Sequence, residues 1–167
     1  MQRLVTGIAR ATALAGGLVL MVIIILACVS IIGRYSGLGE VNGTYEILEA
    51  GVAFAIFSFF PLCQLHGGHA TVDVFTSGLR PRSLSVLRAF WEVVLAAVIV
   101  LISWRLFGGL ERYWNNGETT LFLQFPVWWS YAASFAASVV AAVVAIYCAL
   151  ARVASAVTGR TYLPSEV

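Results

Sequence analysis

The sequence predicts an all-α integral membrane protein with four transmembrane helices and with both termini in the cytoplasm. The first observation is composition: 60% of the residues are hydrophobic and only 11% are charged, with a mean hydropathy of +0.92. In soluble domains about a quarter of the residues are charged, so this low charge content indicates a surface covered mainly by lipid. The net charge of +2 gives no reason to expect a nucleic-acid partner.

The second observation is a set of apolar stretches, at about residues 11–32, 47–65, 84–110 and 127–150. Each reaches or nearly reaches the ~20 residues that a helix needs to cross a bilayer. The segments between them are short and rich in Gly, Pro, Asn and Arg. No space is left for a soluble domain, so residues 1–167 are predicted to form one four-helix membrane domain.

An alternative interpretation of the first apolar stretch is a signal peptide, because Arg3 and Arg10 give it a basic start. Its apolar run is longer than the ~7–15 residues of a signal-peptide core, and no A-x-A cleavage site follows. The residues before Cys28 match a lipoprotein cleavage site poorly. We therefore expect a helix that stays in the mature protein.

The third observation is the distribution of arginine, since basic residues concentrate in cytoplasmic segments. The N-terminal segment, the middle loop and the C-terminal tail are the segments in which Arg is in excess over acidic residues: Arg3, Arg10, Arg80, Arg82, Arg88, Arg152 and Arg160. The other two loops carry more Glu than Arg. This pattern places both termini in the cytoplasm.

Charges within a membrane span are costly and require an explanation. Glu92 lies inside the third stretch, and Arg88 precedes it by four residues on the same helical face, so the two can form a buried pair. The alternative is that Glu92 is an ion or proton site, which would make the chain a self-sufficient small transporter or channel with Glu92 as its coupling residue. The sequence favours the pair.

The fourth stretch carries small residues at a helical spacing. A ridge of alanines recurs every fourth position: Ala133, Ala137, Ala141, Ala145 and Ala149. Small side chains allow the backbones of two helices to approach closely, which is a common way for helices to associate in lipid. We predict that this ridge packs against another helix, in this chain or in a partner.

Few residues suggest catalysis or a cofactor. Cys63, His66, His69 and Asp73 have the side-chain types of metal ligands, but flexible glycines separate them and no second cluster completes a tetrahedral site. A haem held by histidines would need ligands on separate helices. A redox enzyme is therefore a weak alternative, and the sequence predicts neither an enzyme nor a cofactor.

Several short motifs at the helix ends, taken together, resemble one known family. They are the acidic start of the second helix at 45–49 (YEILE), the segment 67–74 (GGHATVDV), the run 119–121 (TTL) and the segment 126–131 (PVWWSY). In order, spacing and topology they are similar to the small permease subunit of tripartite ATP-independent periplasmic (TRAP) transporters, the DctQ family. One departure is that Ala50 and Gly51 follow Glu49, where family members often have a basic residue.

The resemblance implies a non-catalytic subunit of the bacterial inner membrane. Its expected partners are a large elevator-type permease subunit, which would hold the substrate and sodium sites, a soluble periplasmic substrate-binding protein, and membrane lipids. The small subunit would enlarge the static scaffold and help to dock the binding protein during sodium-coupled uptake of an organic acid.

If the termini are cytoplasmic, the loops at 37–45 and 111–120 face the periplasm. Their charged residues are candidates for docking the binding protein: Glu40, Glu111, Arg112 and Glu118. Exposed charges mainly steer association, so such docking is expected to depend on salt.

Overall fold

The computed structural model describes residues 2–37, 39–66 and 81–158. These residues form four long α-helices: α1 (Gln2–Tyr35), α2 (Thr44–Leu65), α3 (Pro81–Asn116) and α4 (Trp128–Thr158). Every one of the four contains a segment long and apolar enough to cross a membrane. The prediction of an all-α chain with four membrane-spanning helices is confirmed.

All four described helices are longer than the apolar stretches that predicted them. Helix α1 begins at Gln2 instead of near residue 11, and α4 continues to Thr158 instead of ending near residue 150. Apolar composition marks the part of a helix that lies in lipid, whereas the helix itself continues until a residue breaks it. In α3 the residues at both ends fit the start and the stop of a helix. Pro81 suits a first helical position, and Gly117 follows the last turn with φ 64°.

The helices pack in the order α1, α2, α4, α3, with α2 and α4 in the middle. Helix α1 also touches α4, where Ala9 packs against Val144 and Cys148. The N-terminal part of α1 and the C-terminal part of α4 therefore lie at the same end of the bundle. We call this the inner end and the opposite end, with Tyr35 and Trp128, the outer end, after the predicted orientation.

Helices α1 and α2 approach closely at small residues. A Cβ atom added to Gly16 of α1 would lie 2.7 Å from the Cβ of Ser58, and Ala55 beside it is only 1% exposed. One turn toward the outer end, Gly51 of α2 leaves room for Ile23 of α1. Close backbone approach thus replaces large interlocking side chains at this interface.

Helix α4 presents its small residues to both neighbours. Ala141 and Ala145 are fully buried, and they form a cluster with Ala96 and Ile99 of α3 while Phe60 of α2 packs on it. Of the other residues in the predicted ridge, Ala137 and Ala149 are buried and Ala133 is exposed. The neighbours of the buried alanines in the structure are therefore helices of the same chain.

Candidate functional site

At the inner end, a buried polar network joins α2, α3 and α4. Glu92 of α3 is only 8% exposed and Gln64 of α2 only 1%. The Gln64 side-chain amide donates a hydrogen bond to Oε2 of Glu92, while Nε of Arg152 on α4 lies 3.7 Å from Oε1. A carboxylate is thus held by a cation from one neighbouring helix and an amide from another.

The partner of Glu92 differs from the one that the sequence predicted. Arg88 lies on the exposed side of α3, and the salt bridge of Glu92 is to Arg152 instead. An i,i+4 pair is weaker when the basic residue precedes the acidic one, because that order opposes the helix dipole. Arg152 reaches the carboxylate from a separate helix and shares its buried environment, which makes it the stronger partner.

This network gives a structural reason for the buried charge of Glu92, the residue that was considered as a coupling site. Both carboxylate oxygens of Glu92 are engaged, one by Gln64 and the other by Arg152. A buried carboxylate in such a position is stabilised as long as both its charge and its hydrogen-bonding capacity are matched. The arrangement suits a role in holding three helices together.

At the outer end, Glu46 connects the start of α2 to the loop between α3 and α4. Its Oε1 accepts a hydrogen bond from the backbone N–H of Phe122 (2.8 Å), and its Oε2 accepts one from Leu123 (3.0 Å). A carboxylate at the start of a helix ordinarily stabilises the first turn of that helix through the helix dipole. The structure instead uses both carboxylate oxygens to fix a loop more than 70 residues away in sequence.

The loop that Glu46 holds is an ordered hairpin. The backbone N–H of Thr120 donates to the carbonyl of Phe125 (3.0 Å), and that of Val127 donates to the carbonyl of Glu118 (3.0 Å). Tyr131 lies against Gly109 near the base of this hairpin, where a Cβ atom would come within 2.5 Å of the tyrosine ring. The ring of Tyr131 also lies 4.8 Å from that of Tyr113 on α3, so aromatic rings pack between α3 and α4 at the outer end.

The four charged residues predicted for docking are all exposed and lie in the outer part of the chain. Glu40 lies 3.9 Å from Arg34, with both side chains more than half exposed. Glu118 accepts a hydrogen bond from the side-chain amide of Asn116 (3.2 Å). The loop that carries Glu40 and the hairpin that follows Glu118 lie side by side, because Leu123 packs over Gly43.

A cleft of about 440 Å³ opens in the outer half of the bundle, between α2, the hairpin and the start of α4. Its lining includes Glu46, Glu49 and Phe57 from α2, Leu106 from α3, and Tyr131 from α4. Its walls are mainly apolar, and Glu49 is an exposed carboxylate within the membrane-spanning part of α2. The cleft therefore combines a lipid-like surface with a charge that lipid chains do not stabilise.

The residues considered for metal or redox chemistry are only partly described. Cys28, Cys63 and Cys148 are not joined by disulfides, and the Nδ1 atom of His66 lies 3.0 Å from the carbonyl of Leu62 in its own helix. His69, Asp73 and the family-like segment 67–74 lie outside the described residues.

A comparison with protein families gives a match to the model described as "Tripartite ATP-independent periplasmic transporters, DctQ component", over residues 23–156. The chain belongs to the DctQ family. The match runs from the middle of α1 to near the end of α4, so it includes both the inner network and the outer hairpin. DctQ proteins are transporter components and not a family of enzymes. Comparisons with curated proteins and with solved structures gave no match.

Replacing Arg152 tests the inner network of this DctQ chain. We expect Arg152→Met to lower the free energy of unfolding by about 3–5 kcal/mol, because Glu92 would stay buried without its cation. Arg88→Met is the matched control: Arg88 is exposed, so its loss should change stability by no more than about 0.5 kcal/mol. Unfolding in mixed detergent micelles, followed by circular dichroism, measures both.

The double variant Arg152→Met/Glu92→Gln removes both charges and should recover much of the lost stability. Equal effects of Arg88→Met and Arg152→Met would show that the buried pair is not the one described here.

Proposed function

We propose that this chain is the small membrane subunit of a TRAP transporter in a bacterial inner membrane, with both termini in the cytoplasm. In this role it forms a static scaffold beside a large elevator-type permease subunit, which carries the substrate and sodium sites. The transported substrate is an organic acid delivered by a soluble periplasmic binding protein. Membership of the DctQ family supports the tripartite setting, and the arginine distribution supports the orientation.

The observation that carries the scaffold role is how the polar residues within the spans are used. The side chains of Glu92, Gln64 and Arg152 bind one another across three helices. The hydroxyl of Ser103 on α3 donates to the carbonyl of Ile99 in its own helix (2.9 Å) and to that of Ser138 on α4 (3.1 Å). Groups that move ions or substrates must exchange partners during transport. These groups serve to hold the helices of this chain in one arrangement.

We further propose that the large subunit covers the cleft between α2, the hairpin and α4. An exposed carboxylate such as Glu49 on a membrane-spanning helix is costly if it faces lipid, and such residues almost always face protein or a water-filled space. The apolar walls of the cleft suit a transmembrane helix, and the charge suits a basic or hydrogen-bond-donating side chain on that helix. Glu49 would then contribute to the choice of partner.

The outer charged residues suit the docking of the binding protein. Glu40, Glu111, Arg112 and Glu118 are exposed and belong to the two loops that face the periplasm in the predicted orientation. Exposed charges contribute little to static affinity but steer the approach of a charged partner. We therefore assign them to the encounter step of docking.

The chain purified alone should transport nothing, and in native membranes it should co-purify with a much larger multi-spanning protein. Uptake of radiolabelled organic acids into proteoliposomes, with and without that protein, measures this. Uptake by the chain alone at the rate of the complex would exclude the scaffold role. Loss of transport in Glu92→Gln with assembly intact would favour the alternative, in which Glu92 is a coupling residue.

Glu49→Lys should reduce co-purification of the large subunit about tenfold or more. The lysine would place a positive charge in the cleft, where it would repel the basic side chain proposed for the partner helix. Glu111→Lys makes the same change of charge on the outer part of α3 and should leave co-purification unchanged. The amount of large subunit recovered per tagged chain, by quantitative mass spectrometry, compares the two. Equal recovery with both variants would place the large subunit on another face.

Reversing the charges of Glu40, Glu111, Arg112 and Glu118 together should slow the association of the binding protein and change its dependence on salt. The physical reason is that electrostatic steering acts on the association rate and is screened within about 8–10 Å at physiological ionic strength. Surface plasmon resonance on the reconstituted complex, over a series of salt concentrations, measures the rate. An unchanged rate and an unchanged salt slope would remove these residues from the docking surface.

A further inference from the structure

The hairpin between α3 and α4 exposes an unusual run of apolar side chains. Leu121, Phe122 and Leu123 are consecutive and are 89%, 68% and 42% exposed. From Thr119 to Ala151 the sequence contains no charged residue. A loop in water is usually polar, so three large apolar side chains at its tip indicate that something other than water covers them.

Backbone N–H groups of this tip donate hydrogen bonds to acceptors within the protein, which a loop surrounded by water does not need. Glu46 accepts the N–H groups of Phe122 and Leu123, and the hairpin bonds described above pair Thr120 with Phe125. Water would bind these N–H groups at no cost in a solvated loop. Near the hydrocarbon region water is scarce, so each backbone polar group needs a protein partner.

The surroundings of the tip are those of a membrane interface. Trp114 and Trp129, at the ends of the helices that the hairpin joins, are 61% and 57% exposed, and aromatic residues of this kind collect at the level of the lipid headgroups. Phe122 also lines a hollow with Tyr45 and Ile31, and with the charged pair Arg34 and Glu40. The exposed apolar tip thus lies where the apolar surface of α1 meets charged groups, as at the level of lipid headgroups.

From these three observations we propose that the hairpin tip, centred on Phe122, inserts into the headgroup region of the membrane at the outer end of the bundle. Glu46 is the positioning residue: its carboxylate holds the tip in the shape that enters the lipid. A lipid surface is favoured over a protein partner because the three side chains of the tip are all apolar and exposed tryptophans lie at the ends of both adjoining helices. The proposal does not depend on the role in transport.

A nitroxide label tests the depth of the tip. The label is attached at Phe122→Cys in the full-length chain, with Cys28, Cys63 and Cys148 replaced by Ala, and the protein is reconstituted in lipid nanodiscs. Power-saturation EPR then compares access of oxygen, which enters lipid, with access of a water-soluble nickel chelate. Labels at Leu101→Cys, an exposed mid-helix position, and at Asn115→Cys, an exposed polar position, provide the lipid and water references.

We expect the oxygen-to-nickel ratio at position 122 to be several-fold higher than at position 115 and to approach that at position 101. A ratio equal to that at position 115 would overturn the proposal. Shielding of position 122 that arises only when periplasmic proteins are added would also overturn it, because the occupant would then be a protein.

The role of Glu46 is tested in the same labelled chain. Glu46→Ala should sharpen the EPR lines of the label at position 122 and move its accessibility ratio toward that of water. Glu49→Ala, one turn further along α2, is the matched control, since the tip N–H groups bond to Glu46; this control should leave both readouts unchanged. If Glu46→Ala also leaves them unchanged, the positioning role is wrong, while the ratio in the chain with Glu46 intact still decides whether the tip enters lipid.

Discussion

The packing of this chain depends on the small residues along α4. Among the described helices, α3 makes its backbone-level contacts with α4, and α4 also packs against α2. Lipid is as apolar as a leucine side chain, so burying large apolar groups gives little net gain in a bilayer, and close approach of helix surfaces matters more. Fully buried Ala141 and Ala145 permit that approach on both sides of α4. A bulky residue at either position would separate α3 from the rest of the chain.

The polar groups complement this apolar packing at its two ends. Close packing of small residues is weakly directional, so it does not by itself fix how far one helix slides along another. The network of Glu92, Gln64 and Arg152 fixes the inner end, since its hydrogen bond and ion pair need a particular register of three helices. Glu46 fixes the outer end through its bonds to the hairpin. The two sites therefore specify the arrangement that the alanines allow.

The sequence predicted the membrane class, the number of helices and the small-residue ridge, because hydropathy and spacing are properties of single segments. It did not predict the partner of Glu92, because Arg152 is distant in sequence and looked like one more basic residue of the cytoplasmic tail. The contacts of Glu46 were missed for the same reason: a carboxylate at a helix start has an adequate local explanation in the helix dipole. Long-range polar pairs leave no periodic signal along the chain, so only the fold reveals them.

A chain fixed at both ends in this way is better suited to supporting a moving partner than to moving itself. Alternating access needs elements with two packing arrangements of similar free energy, which rearrange by hinge, shear or sliding motions. Sliding α3 along α4 would break the bond between Ser103 and Ser138, and it would also separate Glu92 from Arg152 inside a low-dielectric region. The cost of that step argues that α2, α3 and α4 keep one relative position. In the proposals above, this rigid unit would offer the cleft beside Glu49 to a neighbouring helix and the apolar hairpin tip to lipid.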